Sequence, residues 1–519
     1  MDYMDIIKTI LAFIPIIWMI VSLTKLKLPA YKAGAAALAA ALLIAIAAFG
    51  MKPNHAAQAT VEGIMMAIFP ILWVILTALF VYNVTLETGS MEIIKAMLLG
   101  ISPDRRIQTL ILAFSFGGFL EAVAGFGTSV AIPAEILASM GFNPFLAASV
   151  CLIANTVSVA FGVLGIPIIT LSQVTDLSLG TLSLYTALQL FPFAIILPFF
   201  LVFAVTGSLK KVKGVIGISL AAGLTFAVVQ TLTVVFIGPE LAAATGSLLS
   251  LAVLILWSKL RPVKDVWLFE GEGIKKAPEL KKSNKSLTGA LVAWSPYILI
   301  LVIILMTRFL PFFDFLNNYP FVIQQQFYFG EGGKPLSFQL ATSGGTALFI
   351  SAFIGGLLQG VSLKTLFGVL LKTLKQIKKT TVTVISVVSL AKIMGYSGMI
   401  SSIANMLATA SGKFYPFLAP FIGALGTFIT GSDTSSNVLF GNLQKQTAIQ
   451  IGSGQEWLAA ANSSGATAGK MVSPQSIAIA STAAGLPGSE GKLMITTVKY
   501  CLIYVLAMGA IVLLFNITQ

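Results

Sequence analysis

The sequence predicts an all-α integral membrane protein of about twelve transmembrane helices plus two re-entrant helical hairpins, built as an inverted-topology repeat. Three observations predict it. The 519 residues are 57% hydrophobic and 10% charged, with mean hydropathy +0.94, whereas soluble domains carry about 25% charged residues. So much apolar surface needs lipid as part of its solvent. Apolar runs long enough to cross a bilayer recur along the whole chain, and polar motifs in the two halves match at a nearly constant offset.

The expected spans are 9–24, 33–50, 60–84, 145–172, 183–207, 214–237, 240–258, 288–310, 338–360, 380–410, 456–484 and 492–515. Each offers about 20 mostly apolar residues, enough for a hydrocarbon core of about 30 Å. The start, MDYMDIIK, lacks a basic region followed by a cleavage site and reads as mature chain. His55, the single histidine, falls in a short loop beside Lys52 and Pro53; Cys151 and Cys501 lie in apolar runs and read as packing residues. Segment 259–286 is the one long polar stretch and reads as a solvated cytoplasmic linker. The domains follow: a first repeat over 1–208 with its hairpin near 107–140, linking helices and loop over 209–286, and an inverted second repeat over 287–519 with its hairpin near 413–445.

The net charge of +13 raises the question of nucleic acid, and its distribution answers it. With the N-terminus outside, the loops around Lys25, Lys95, Lys210, Lys259–Lys285 and Lys364–Lys379 all fall on the inner side, while the outer side receives Lys8, Lys52, Arg308, Lys334, Lys413 and Lys445. Basic residues concentrate in cytoplasmic loops, so both termini are expected outside and no nucleic-acid partner is needed.

ANTVSVAFGVLGIP (154–167) matches ANSSGATAGKMVSP (461–474) at an offset of 307; Gly118, Thr128, Ser129 and Val130 meet Gly426, Ser436, Asn437 and Val438 at 308; Gly89 meets Gly398 at 309. Three ordered matches imply two related halves. Counting crossings makes them inverted, and in such transporters the site lies where the repeats meet. Two intervals, LEAVAGFGTSVAIP (120–133) and TFITGSDTSSNVLF (427–440), are apolar but broken by Gly, Ser and Thr. Their second arms, about 12 residues, reach only about 18 Å as helix and are expected to re-enter rather than span. Irregular backbone at that depth is tolerated where it is buried or lines a wet cavity.

The hairpin tips therefore present helix N-termini, near Thr128 and Ser435, to an anion. Thr128, Ser129, Ser436 and Asn437 at the tips, with Asn155, Thr156, Asn462 and Ser463 in helices expected to unwind, form the candidate substrate site. Taken singly, each reads equally as a small polar residue joining helices. Five charges fall at membrane depth: Glu121, Glu135, Asp433, Lys392 and Lys470. Each needs a reason, because a charge at the bilayer centre costs roughly 2.5–3.5 kcal/mol on insertion scales. Lys470 and Lys392 are candidates to meet a substrate carboxylate, and Lys470 equally to stand as a fixed cation. Glu121 or Asp433 is the candidate proton carrier, the alternative being a structural ion pair with Lys392 or Lys470. Glu135 divides evenly between function and structure. Under the repeat, Glu121 aligns with Ile429 and Asp433 with Gly125.

GGFLEAVAGFGTSVAIPAEIL (117–137) and NPFLAASVCLIANTVSVAFGVLGIP (143–167), with GTFITGSDTSSNVLFGNLQ (426–444) and ANSSGATAGKMVSPQSIAIA (461–480), resemble the bacterial L-lactate permease family, which includes glycolate permeases. The likeness covers nearly the whole chain. It implies proton-coupled symport of L-lactate, with D-lactate and glycolate as further substrates, across the bacterial plasma membrane. A wider architectural likeness is to the divalent anion:sodium symporters, and it implies a homodimer with a scaffold and a moving part holding the hairpins and helices 145–172 and 456–484. The chain departs from their Ser-Asn-Thr tip, since Val438 follows Ser436-Asn437 and Thr128-Ser129 lacks the Asn. That departure favours protons over sodium.

An anion channel would line one continuous filter rather than close a site from two sides. An intramembrane enzyme would need a nucleophile with its base, or metal ligands; one loop histidine and two dispersed cysteines offer neither. No cofactor and no metal are expected. A sodium-coupled carrier of another carboxylate is the alternative within transport.

Overall fold

The computed structural model describes residues 3–26, 28–125, 127–263, 265–269, 287–486 and 488–517, and most of the expected cytoplasmic loop 259–286 lies outside them. The chain is almost entirely helical. It begins with α1 (Tyr3–Thr24) and α2 (Ala30–Ala47). A long broken span follows, α3 (Pro53–Met66) and α4 (Trp73–Glu87) joined by a π-helical stretch, Ala67–Leu72, that contains Pro70. After the short α5 (Ser90–Leu99), α6 (Arg105–Thr109) runs through a second π-helical stretch, Leu110–Phe116, into α7 (Gly117–Val123), and α8 (Thr128–Ser139) turns back. Next are α9 (Pro144–Ala154), α10 (Thr156–Val159), α11 (Gly162–Thr175) and α12 (Leu179–Thr206). The short α13 (Leu209–Lys213) leads to α14 (Ile216–Phe236) and α15 (Pro239–Leu260).

The second half opens with α16 (Leu287–Phe309), a two-stranded antiparallel sheet of β1 (Val322–Gln325) and β2 (Leu336–Gln339), α17 (Gly344–Leu358) and α18 (Leu363–Gln376). It continues through α19 (Lys378–Tyr396), α20 (Met399–Ser411), α21 (Tyr415–Thr430) and α22 (Asp433–Ile451) to α23 (Gln455–Lys470), α24 (Pro474–Ala483) and α25 (Glu490–Ile517).

Among the described residues nine helices are long and apolar enough to cross a membrane, or up to eleven if each bent pair counts as one span. The expected twelve is reduced for identifiable reasons. Span 338–360 gives way at its start to strand β2 and the Ser343 N-cap, leaving the 15 residues of α17. Span 380–410 breaks at the left-handed Gly398, and the pair bends by 72°. Span 456–484 stops at Ser473-Pro474, where Ser473 caps α24 and Pro474 has no N–H to continue α23. Interval 105–123, left out of the expected spans, qualifies as one and is wholly buried. Of the expected short hairpin arms, α8 has 12 residues, but α22 has 19 and reaches about 28 Å. It continues until Gly452 ends it in a left-handed conformation.

Local chemistry sets the breaks. Asn143 Oδ1 accepts from the Phe145 and Leu146 amides and starts α9. The following helix unwinds at 160–161 and bends by 50°, with Val163 (φ 45°) and Leu164 (φ 53°) left-handed. Such torsions cost of order 1–3 kcal/mol per non-glycine residue and persist where surrounding packing fixes them. Here Val163 lies against Gly125, in the turn between α7 and α8.

The centre is assembled by close backbone contact. A Cβ on Gly423 would fall 2.0 Å from Asn462 O, one on Gly465 2.1 Å from Pro420 O, and one on Gly469 2.1 Å from Ala424 O. This glycine interlock presses α21 against α23, and α22 packs on both. By contrast, only 28% of the α1 span is buried, and Ile10, Leu43 and Ile503 stand exposed as lipid-facing side chains do.

Candidate functional site

The helix breaks surround a cavity of about 420 Å³. Its deep end carries Glu121 from α7, Asp433 from α22 and Lys470 from the end of α23. It is also lined by Pro29, Tyr31, Lys379 and Thr380, beside the basic residues Lys32 and Lys378. Three helix starts border it. Gly127 precedes α8, Ser432 caps α22 by accepting from the Ser435 amide at 3.3 Å, and Ser473 caps α24 by accepting from the Ser476 amide at 3.2 Å. Amide groups at such starts favour a negative charge. Gly127 (φ 86°), before α8, and Gly431 (φ 75°), between α21 and α22, take left-handed turns, which a Cβ would strain.

The two carboxylates are held differently. Glu121 Oε2 accepts from Ser129 Oγ at 2.5 Å, and its Oε1 lies 3.9 Å from Lys470 Nζ. Asp433 receives two long contacts from Ser463 Oγ, 3.4 Å to each oxygen. Both are buried, at 3% and 2% exposure. Behind Ser463 runs a chain of side chains. Asn437 Nδ2 donates to Ser463 Oγ (3.1 Å) and Pro167 O (3.1 Å), Asn462 Nδ2 to Asn437 Oδ1 (2.9 Å), Gln444 Nε2 to Asn462 Oδ1 (3.2 Å) and Tyr415 O–H to Gln444 Oε1 (2.8 Å). This chain ties α22 and α23 to α11 at Pro167, just past its unwound residues.

The structure thus brings together Glu121, Asp433 and Lys470 at the cavity wall, with Ser129, Ser463, Asn437 and Asn462 one layer behind. Others are placed differently. Thr128 Oγ1 closes its own turn on Gly125 O, Thr156 Oγ1 bonds Ile153 O, and Ser436 Oγ bonds Gly423 O. The two amide atoms of Asn155 are buried and make no hydrogen bond among the described residues. Lys392 does not border the cavity. Its Nζ lies 2.8 Å from Glu62 Oε1, which also accepts from Tyr396 O–H at 2.7 Å. Glu62 is the intramembrane carboxylate that explains Lys392, and its place at the start of an otherwise apolar run was the available signal. Glu135 is exposed on α8. Thr128 opens α8 and Asp433 opens α22. Sequence reasoning also passed over Thr434, Gln475, Ser476 and Ile479 at the wall. The SPQS run after Lys470 was their legible trace.

A bundle of membrane-crossing helices around an internal, charged cavity defined by helix breaks marks a multi-pass membrane transporter. The comparisons make the class particular. A family model described as L-lactate permease matches residues 8–518. An L-lactate permease of Streptococcus iniae is 43% identical over 463 residues, covering 87% of this chain and 93% of that one. The glycolate permease GlcA of Escherichia coli K12 is 38% identical over 536 residues, covering 98% and 95%. The chain belongs to the L-lactate permease family and is a transporter, not an enzyme. Among solved structures, Neisseria gonorrhoeae MtrF, of a class of antimetabolite efflux pumps, is 12% identical with a TM-score of 0.47 over 87% of this chain and 82% of that one, a distance at which nothing about mechanism transfers.

Proposed function

We propose that this permease carries L-lactate, with D-lactate and glycolate as further substrates, together with one proton across the bacterial plasma membrane. The observation that carries the reading is the meeting of Lys470, Glu121 and Asp433 in one cavity bordered by three helix starts. Lys470 and the helix-start amides receive the substrate carboxylate. Asp433 takes the proton, because Glu121 already holds Ser129 and faces Lys470, while Asp433 has two long hydroxyl contacts. A lactate anion moving with one proton carries no net charge, so the pH gradient drives accumulation; each extra cation would add about 2.3 kcal/mol per 100 mV.

The two halves act as inverted repeats, α7–α8 and α21–α22 as hairpins, and the site is reached by alternating access. With both termini extracytoplasmic, the cavity opens to the cytoplasm past Tyr31 and Lys379, and the protein works as a homodimer.

The test is uptake of labelled L-lactate by the reconstituted protein under an imposed pH gradient, a sodium gradient, or neither. Uptake that requires an inside-alkaline lumen and ignores sodium is the expected result. Uptake that follows sodium would replace the proton by a sodium ion, and absence of lactate uptake under every gradient would remove the substrate assignment.

A further inference from the structure

Helix α24 touches both hairpin tips. A Cβ on Gly431 would fall 2.2 Å from Gln475 Oε1, and a Cβ on Gly127 would fall 2.6 Å from Ile479 Cδ1. The two left-handed glycines thus leave room for two side chains of α24 that are four residues apart. Positions i and i+4 share one helix face and lie about 6 Å apart along the axis, a separation a three-carbon acid bridges. Both side chains border the cavity, as does Lys470 just before the helix break. Gln475 is exposed within that cavity, and its carboxamide makes no hydrogen bond to the described residues. Ile479 is half-buried, with Val163, Ile166 and Val438 among the other apolar groups of the wall.

We propose that α24 reads the substituents at carbon 2 of a small 2-hydroxy monocarboxylate. Gln475 hydrogen-bonds the hydroxyl, Ile479 packs on the alkyl group, and Lys470 holds the carboxylate. The proposal rests on the lactate reading and deepens it. Three contacts of different chemistry around one carbon distinguish enantiomers, and removing one substituent removes one contact. Propionate lacks the hydroxyl, and glycolate lacks the methyl. A neutral hydrogen bond of this kind contributes about threefold to tenfold in affinity, and a methyl-sized apolar contact about fourfold.

The test uses the full chain in liposomes, with labelled L-lactate uptake competed by unlabelled L-lactate, D-lactate, glycolate and propionate. Gln475→Met keeps the side-chain length and removes the hydrogen bond. It is expected to weaken L-lactate and glycolate about threefold to tenfold and to leave propionate inhibition unchanged, which also reports an intact fold. Ile479→Ala is expected to weaken L-lactate about fourfold and to leave glycolate unchanged. Equal weakening of all four acids by either variant would overturn the proposal, since a side chain that merely supports a tip has no reason to spare one substrate. Unchanged selectivity in both variants would overturn it too. If the unaltered chain takes up no 2-hydroxy acid, the functional reading falls and this one with it; if it does and the variants keep its selectivity, this one falls alone.

Discussion

Replacing Lys470 by Met removes the single basic group that faces Glu121 across the cavity among the described residues. At 3.9 Å, two unit charges in surroundings of effective dielectric about 20 attract by about 4 kcal/mol. Most of that is offset by desolvation of both groups, so the net worth of the intact pair is small, whereas deleting one partner strands the other at a cost of about 3–5 kcal/mol. Glu121 would keep Ser129 at 2.5 Å, which softens the loss. Lys470→Met and Glu121→Gln should therefore each destabilise the protein, and the double variant by less than the sum. A coupling of about 1–3 kcal/mol is the expected size for residues in direct contact. Thermal and denaturant unfolding of the four proteins in detergent measure it. The same variants separate the roles of Lys470, because loss of a charge-assisted hydrogen bond to the substrate lowers affinity by about 10–100-fold. Additive destabilisation would refute the pairing argument, and Lys470→Met with unchanged apparent affinity for lactate would remove the lysine from the substrate site while leaving it a fixed cation.

Asp433→Asn keeps the shape and the Ser463 contacts but cannot carry a proton; accumulation driven by a pH gradient should vanish while lactate exchange at equal pH persists, measured as counterflow. Lys392→Met strands Glu62, which is 1% exposed, so it should lower unfolding stability by about 3–5 kcal/mol with little effect on the lactate affinity of the protein that remains folded. Gly465→Ala forces a methyl to within 2.1 Å of Pro420 O; backbone has to move, and overpacking of about 1–3 kcal/mol or more should appear as a lower melting temperature together with reduced uptake. Gly431→Ala meets the side chain of Gln475, from Oε1 at 2.2 Å to Cβ at 3.0 Å, and no backbone, but pays for a left-handed torsion, about 1–2 kcal/mol, so its melting temperature should fall less than that of Gly465→Ala.

How much of this was legible depends on the length scale of the signal. Membrane character and most spans follow from composition and run length, which the structure inherits directly. Ser473-Pro474 carries a visible mark, since proline cannot continue a helix, yet the expected span 456–484 ran across it, and α23 stays helical through Asn462 and Ser463, where unwinding was expected; where tertiary contact imposes the break, no mark was available. Val163 and Leu164 carry no sequence mark of a left-handed conformation; Gly125, where a Cβ would fall 2.3 Å from Val163 Cγ2, and Gly344, where one would fall 3.2 Å from Leu164 Cδ1, leave room for their side chains. The same limit applies to α22. Its first turn reads as a polar tip, and nothing in GNLQKQTAIQ forbids the helix from continuing to Gly452, so an expected arm of about 12 residues became 19.

Polarity inside an apolar run singled out Glu121, Asp433 and Lys470, which line the cavity, because each is costly unless something answers it. Polarity could not say which charge answers which. Lys392 and Lys470 look alike in sequence, yet one is tied to Glu62 beside Tyr396 and the other faces the cavity. The difference follows from helix crossings. Gly63 lets α3 approach α19 so closely that a Cβ there would fall 2.4 Å from Ser389 Cα, which sets Glu62 opposite Lys392, three residues further along α19. The Gly423, Gly465 and Gly469 interlock, in turn, fixes α23 against α21 and so delivers Lys470 to Glu121. In this chain the small residues decide which of the charged ones face the cavity, and the charge pattern becomes readable only after those crossings are known.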